Sequence, residues 1–261
     1  MKTLAHHRRH PAAVLVAIMV GLLVTGGLYA VANSATQAQS ATEDATQILN
    51  GKKLFLEGCS SCHGIAAQGT NNGPTLIGVG AAAVHFQVAT GRMPLANPGA
   101  QAPQKTRDYS ETEIAAMASY IASLAPGPAI PTAEDLDWAD ADTAEGGELF
   151  RANCSQCHQA AGRGGALSEG KYAPNLMDAT PQEVYEAMLT GPQNMPVFAD
   201  STLPTEDKQA IINYIETLKT SDDPGGWALG RFGPVTEGLF MWIGGLLLVV
   251  ACAIWIGAKV R

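Results

Sequence analysis

Two copies of one cysteine–histidine motif constrain this chain more than any other feature: "CSSCHG" at 59–64 and "CSQCHQ" at 154–159, 95 residues apart. Four of the five cysteines lie in them. The surroundings repeat as well. "GKKLFLEGCSSCHG" (51–64) is answered by "GGELFRANCSQCHQ" (146–159), and "GPTLIG" (73–78) by "APNLMD" (173–178). "VATGRMP" (88–94) is answered by "AMLTGPQNMP" (187–196), and "AMASYIASL" (116–124) by "AIINYIETL" (210–218). Echoes that keep their order mark two copies of one unit of roughly 75–80 residues. A unit that small buries too little surface to be secure without a staple or a cofactor.

Four chemistries use paired cysteines. A disulfide framework leaves the histidine after each pair unexplained. Zinc sites bring C-x-x-C pairs within about 15–20 residues of each other, and a thioredoxin-like pair needs a βαβ setting. Neither fits pairs 95 residues apart in a helical pattern. The remaining reading is covalent c-type haem, with two thioethers from the cysteines and the next histidine as axial ligand. Cys59 and Cys62 then hold one haem with His63 on its iron, and Cys154, Cys157 and His158 hold the other. Two covalently bound haem c groups supply the core that each unit lacks.

A filled sixth position at such iron favours electron transfer, and an open one permits ligand chemistry. The second unit has no histidine besides His158, so its sixth ligand is sought among Met177, Met188 and Met195. Only Met195-Pro196 has a matching Met-Pro, Met93-Pro94, and both follow a Thr-Gly that reads as a helix end. Met195 and Met93 are therefore the expected ligands, with His85 the rival in the first unit and otherwise a helix-surface residue. Met117 and Met188 read as core. Arg92, Arg163 and Lys171 are the candidate partners for haem propionates.

The periodicity is helical: Ile114, Met117, Ala118 and Ile121 form one stripe over 111–124, and Ile211, Ile212 and Ile215 another over 206–218. Between the units, 131–148 carries seven carboxylates and no basic residue, the pattern of a solvated linker. The net charge of −8, with no Lys/Arg cluster beyond the N-terminus, argues against nucleic acid. The apolar excess sits at the ends. Gly238–Gly257 is uncharged and long enough to span a bilayer, with Trp242 and Trp255 toward its ends and Lys259 and Arg261 after it. No charge appears from Ala12 to Thr42. With Lys2, Arg8 and Arg9 ahead and Ala30-Val31-Ala32 behind, that stretch is either an uncleaved anchor or a signal peptide. Positive charge at both ends places both termini in the cytoplasm and 34–233 outside.

The expected fold is all-α: two tandem cytochrome c domains with long loops, a C-terminal transmembrane helix and an N-terminal hydrophobic segment. The segments are 1–33 (hydrophobic), 34–45 (linker), 46–126 (first domain), 127–143 (acidic linker), 144–222 (second domain), 223–237 (joint), 238–257 (span) and 258–261 (cytoplasmic tail).

These residues resemble class I cytochromes c, twice over. The resemblance implies that Gly51 with Phe55, and Gly146 with Phe150, pack the opening helix against the closing one, where Tyr120 and Tyr214 match. It also implies that Pro74 and Pro174 orient the proximal histidines through their carbonyls, a contact that tunes the iron. The final anchor and its "FGPVTEGL" lead-in look like the dihaem cytochrome c subunit of the actinobacterial cytochrome bcc complex. That likeness implies a relay from the Rieske iron–sulfur subunit of a menaquinol-oxidising complex, beside its cytochrome b subunit, to an aa3-type oxidase. The implied enzyme is the quinol–cytochrome c reductase as a whole, since the chain has no acid/base pair or activated nucleophile of its own. Rival readings are a dihaem subunit of a cbb3-type oxidase or periplasmic dehydrogenase, a dihaem peroxidase, and a tethered electron store without a fixed partner.

Overall fold

A computed structural model describes residues 11–221, 229–231 and 234–259. The basic leader with Lys2, Arg8 and Arg9, the Pro224-Gly225-Gly226 joint and Arg261 lie outside them. The described chain is mostly helical, as its periodicity predicts, with long loops between the helices. The first domain comprises the end of α1 (Pro11–Gly58), the short α2 (Ser60–His63), α3 (Gly80–Ala89) and α4 (Glu111–Leu124). The second repeats this order in α5 (Thr143–Asn153), α6 (Ser155–His158), α7 (Pro181–Thr190) and α8 (Thr205–Thr220). It adds a two-stranded antiparallel hairpin, β1 (Gly165–Ala166) and β2 (Tyr172–Ala173). The chain ends in α9 (Pro234–Lys259).

Each domain is built on a crossing of its first and last helices. A Cβ on Gly51 would fall 1.9 Å from the Ala116 carbonyl oxygen, and one on Gly146 would fall 1.9 Å from that of Ala210. Only glycine permits the backbones to come so close. One turn further, Phe55 meets Tyr120 and Phe150 meets Tyr214, each pair with ring centroids 5.4 Å apart at 49°, within the favourable range for tilted aromatic pairs. Ile114, Met117 and Ile121 complete the first core, and Ile211, Ile212 and Ile215 with Met188 the second. The expected stripes and core methionines are thus where the pattern placed them. Capping boxes start α4 (Ser110 with Glu113) and α7 (Thr180 with Glu183), each satisfying two otherwise orphaned backbone donors.

Two expectations change. The stretch 34–45, expected as a linker, is helical and continuous with both the apolar segment and the opening helix of the first domain. Nothing in its sequence breaks a helix, since it holds neither proline nor glycine. The acidic stretch between the domains is no loose tether either. Leu136 and Trp138 pack against the second core, and Thr132 and Asp135 close a turn through two 2.8 Å bonds. Asn213 and Gln209 of α8 bind its carbonyls at Ala141 (2.7 Å) and Glu134 (2.8 Å). Ile130 packs on the first core, and the Ala82 N–H donates to the Pro128 carbonyl. The carboxylates face water while the interleaved apolar residues anchor the backbone.

Two helical segments, Ala12–Ala30 and Thr236–Ala258, are long and apolar enough to cross a membrane. Their large side chains, Trp242 and Trp255 included, are exposed, so they need an apolar surrounding that the rest of the chain does not supply.

Candidate functional site

In each motif the first cysteine ends the opening helix and the histidine closes one further turn. The His63 N–H reaches the Cys59 carbonyl (3.0 Å), and the His158 N–H reaches that of Cys154 (2.9 Å). The imidazoles are then fixed from behind. His63 Nδ1 lies 2.8 Å from the Pro74 carbonyl, and His158 Nδ1 lies 3.0 Å from that of Pro174. A carbonyl only accepts, so Nδ1 carries the proton and Nε2 keeps its lone pair for a metal. Burial lowers the His158 pKa, partly opposed by its bond to Pro174, which favours the neutral imidazole that a metal requires.

Cys154, Cys157, His158 and Met195 line one cleft of about 1200 Å³, counting its open mouth. Its walls include the core residues Phe150, Met188, Ile211 and Ile215. An apolar cleft with two thiols, one free imidazole nitrogen and one thioether suits a flat, largely hydrophobic cofactor with a central metal. The cysteines are unbridged thiols. Burial, then the neighbouring Cys157, pushes the Cys154 thiol up to about 12; burial, then Cys62, raises that of Cys59. Both are held as neutral S–H. Among the described residues no group of three or more His, Cys, Asp or Glu is arranged to hold a metal on its own.

Met93 and Cys59 both lie against the first core, as Met195 and Cys154 lie against the second. Met117 and Met188 are buried in those cores, and Met188 also lines the wall of the second cleft. His85 is not free surface. Its Nδ1 reaches across to the second domain, 2.8 and 2.9 Å from the two carboxylate oxygens of Glu186. Glu186 is fully buried, and Gln182 Nε2 also donates to it (3.0 Å). The repeat counterpart Tyr185 misled the sequence reading, because the acid that matters is its neighbour.

Sequence reasoning missed that the domains join around the second cleft. The loop after Met93 crosses the boundary: Gln101 donates to the Tyr172 carbonyl and accepts from its N–H, both at 2.8 Å. Gln193 returns the same double bond to the backbone of Ala102. Phe86, Arg92 and Gln104 of the first domain complete the lining. Of the three cations considered, Arg92 lines the cleft with its guanidinium over the Phe86 ring (4.8 Å). Lys171 stands at the rim, bonded to Asn194 and Glu169. Arg163 is not part of the lining.

Comparison with known proteins agrees with this duplication. Residues 48–125 match the family model described as cytochrome c, and residues 141–215 match that of the cbb3-type cytochrome c oxidase subunit III. Over most of its length the chain is similar to proteins named cytochrome bc1 complex cytochrome c subunit. That of Corynebacterium diphtheriae is 45% identical over 96% of this chain and 95% of its own. That of Mycobacterium leprae is 47% identical over 93% and 86%, and that of Mycobacterium tuberculosis 45% over 94% and 90%.

Proposed function

Since the chain belongs to the family of cytochrome bc1 complex cytochrome c subunits, we propose that it is the membrane-anchored dihaem electron carrier of such a complex. Each domain binds one haem c covalently, through Cys59 and Cys62 in the first and Cys154 and Cys157 in the second. His63 with Met93, and His158 with Met195, are the residues that would hold its iron. What supports this most directly is the duplicated geometry: the same imidazole bonded through Nδ1 to the same proline carbonyl, in two domains with the same helix crossing.

The haem supplies a one-electron couple, and this chain's residues set its conditions. The Pro74 and Pro174 carbonyls hold the imidazoles in one orientation and raise their basicity as ligands. Methionine opposite histidine raises the reduction potential. The apolar walls of the second cleft would limit water at the metal, and the linker packs on both domains. We read the subunit as having no active site of its own and as serving the quinol–cytochrome c oxidoreductase reaction of the whole complex. Its donor is the Rieske iron–sulfur subunit, beside the cytochrome b subunit, and its acceptor an aa3-type cytochrome c oxidase. The haem domains face the extracytoplasmic side and the C-terminus the cytoplasm. The C-terminal span, together with the N-terminal segment where it is retained, holds them at the lipid surface, replacing diffusion with high effective concentration.

The test is purification of a tagged chain from membranes in mild detergent, followed by reduced-minus-oxidised spectra. Bands of b- and a-type haem beside the c band support a fixed relay between quinol oxidation and the oxidase. Two c-type haems alone would leave the carrier and remove these partners. The cbb3-type match over 141–215 makes a subunit of another oxidase the second reading; co-purification of that oxidase without cytochrome b would favour it.

A further inference from the structure

We propose that Arg92, a residue of the first domain, holds a carboxylate of the group bound in the second domain's cleft. The inference rests on the haem reading above, because haem carries propionate side chains and needs cations or hydrogen-bond donors for them.

Arg92 is only 8% exposed. Its guanidinium lies over the Phe86 ring, and both residues line the cleft that holds His158 and Met195. Among the described residues nothing accepts a hydrogen bond from this guanidinium, although it presents five donors. Its nitrogens are not among the buried atoms left without a partner, so the guanidinium stays open to the cleft it lines, where a bound anion would complete it. Glu183, whose charge Arg92 feels, does not serve. It forms no ion pair with Arg92, and its carboxylate turns back to accept from the Thr180 N–H at 2.7 Å. Lys171 already has partners. The fork of a guanidinium matches a carboxylate with two parallel bonds, which an ammonium does not.

Arg92 also precedes Met93 directly in sequence, so the same two residues serve both sites: one side chain reaches the second haem and the next is the proposed ligand of the first. The Gln101–Tyr172 and Gln193–Ala102 bonds clamp the loop that follows. A cation at the second haem favours its reduced, less positive state.

The experiment is a redox titration of the full-length protein in its membrane-derived complex, comparing the native chain with Arg92→Gln and Arg92→Lys. A Met195→His chain, whose second haem titrates far lower, identifies that haem's wave. Haem is counted first as the pyridine haemochrome. One haem per native chain, or none, overturns the haem reading itself. With two haems present, Arg92→Gln is expected to lower the second haem's reduction equilibrium constant about tenfold, 59 mV for one electron, with the first haem shifting less. Arg92→Lys recovers most of this, while the propionate bending mode in its resonance Raman spectrum still moves because the fork is gone. An unchanged second wave, a shift confined to the first haem, or an unmoved propionate mode in both variants overturns the proposal. If Arg92→Gln fails to load haem, Arg92→Lys alone decides it.

Discussion

The two domains share one frame and differ in two loops. The helix crossing, the tilted aromatic pair and the proline–histidine bond agree to within 0.2 Å. The loops do not. His158 stands 16 residues before its proline and His63 only 11, and the extra length forms the β1–β2 hairpin. Conversely, Met93 lies 17 residues before the Ser110 cap of α4, whereas Met195 lies nine before Pro204 at the start of α8. These two additions meet: Gln101 of the longer methionine loop binds Tyr172 of the hairpin. The comparison teaches a division of labour. On the proposed reading, helix crossings are duplicated because each haem would need the same cage, and loops diverge because the domains must recognise each other only once.

The sharpest way to break the equivalence of the cages is to remove one proximal ligand at a time. His63→Ala and His158→Ala are each expected to halve haem per chain, read as pyridine haemochrome, while the other domain keeps its c-type spectrum. Loss of both haems from either variant would mean that the domains do not fold as two units. Next in size is the crossing. Gly51→Ala and Gly146→Ala each drive a methyl group against a carbonyl oxygen, at a cost of about 3 kcal/mol or more for overpacking that cannot relax. Thermal denaturation of the holoprotein should show equal losses. A loss in one domain alone would show that the crossings, though superimposable, are not equally stressed.

Much of this was legible beforehand, and the physical reason is periodicity. The motifs, the 3.6-residue stripes and the glycine–aromatic spacing each report a contact local to one domain. Contacts between domains carry no such period. His85 looked like surface because its partner Glu186 is 101 residues away, and the acidic linker looked solvated because charge hid Leu136 and Trp138. Lys208, fully buried with its ammonium on Asp200 (2.5 Å) and the Leu203 carbonyl (2.7 Å), is marked by no motif or period in the sequence. One overlooked signal does locate the interface. The repeat offset is 95 at the cysteines, 100 at the prolines, 102 at the methionines and 94 at Tyr120 and Tyr214. It rises where the hairpin is inserted and falls back across the loop that carries Gln101.

The loop contact itself should be worth less than the crossings. Gln101→Ala removes two hydrogen bonds to the Tyr172 backbone at an exposed edge, about 1–2 kcal/mol of docking. Amide exchange at Tyr172 should quicken about tenfold, the equivalent of 1.4 kcal/mol, with haem content unchanged. Unaltered exchange would mean that the hairpin is held by its own domain.

The smallest effect is the one that depends on pH. The bond to Glu186 raises the pKa of His85, overcoming the lowering by burial, with Glu111 on α4 and Glu183 on α7 adding to the rise. A group whose folded pKa is raised contributes stability that is fully present below its unfolded value of about 6.5 and is lost as pH climbs through the folded value. Docking of α3 on α7 should therefore weaken from slightly acid to alkaline pH, by about 1 kcal/mol or less once solvent screening of the half-buried imidazole is allowed for. The opposite slope would arise only if a carboxylate with a depressed pKa controlled the interface. Domain separation followed by small-angle scattering or amide exchange of α7 across this range distinguishes them. His85→Gln keeps a donor toward Glu186 but cannot titrate, so it should flatten the profile. If the slope persists in that variant, the pH response belongs to another group and the His85–Glu186 bond is only a fixed strut.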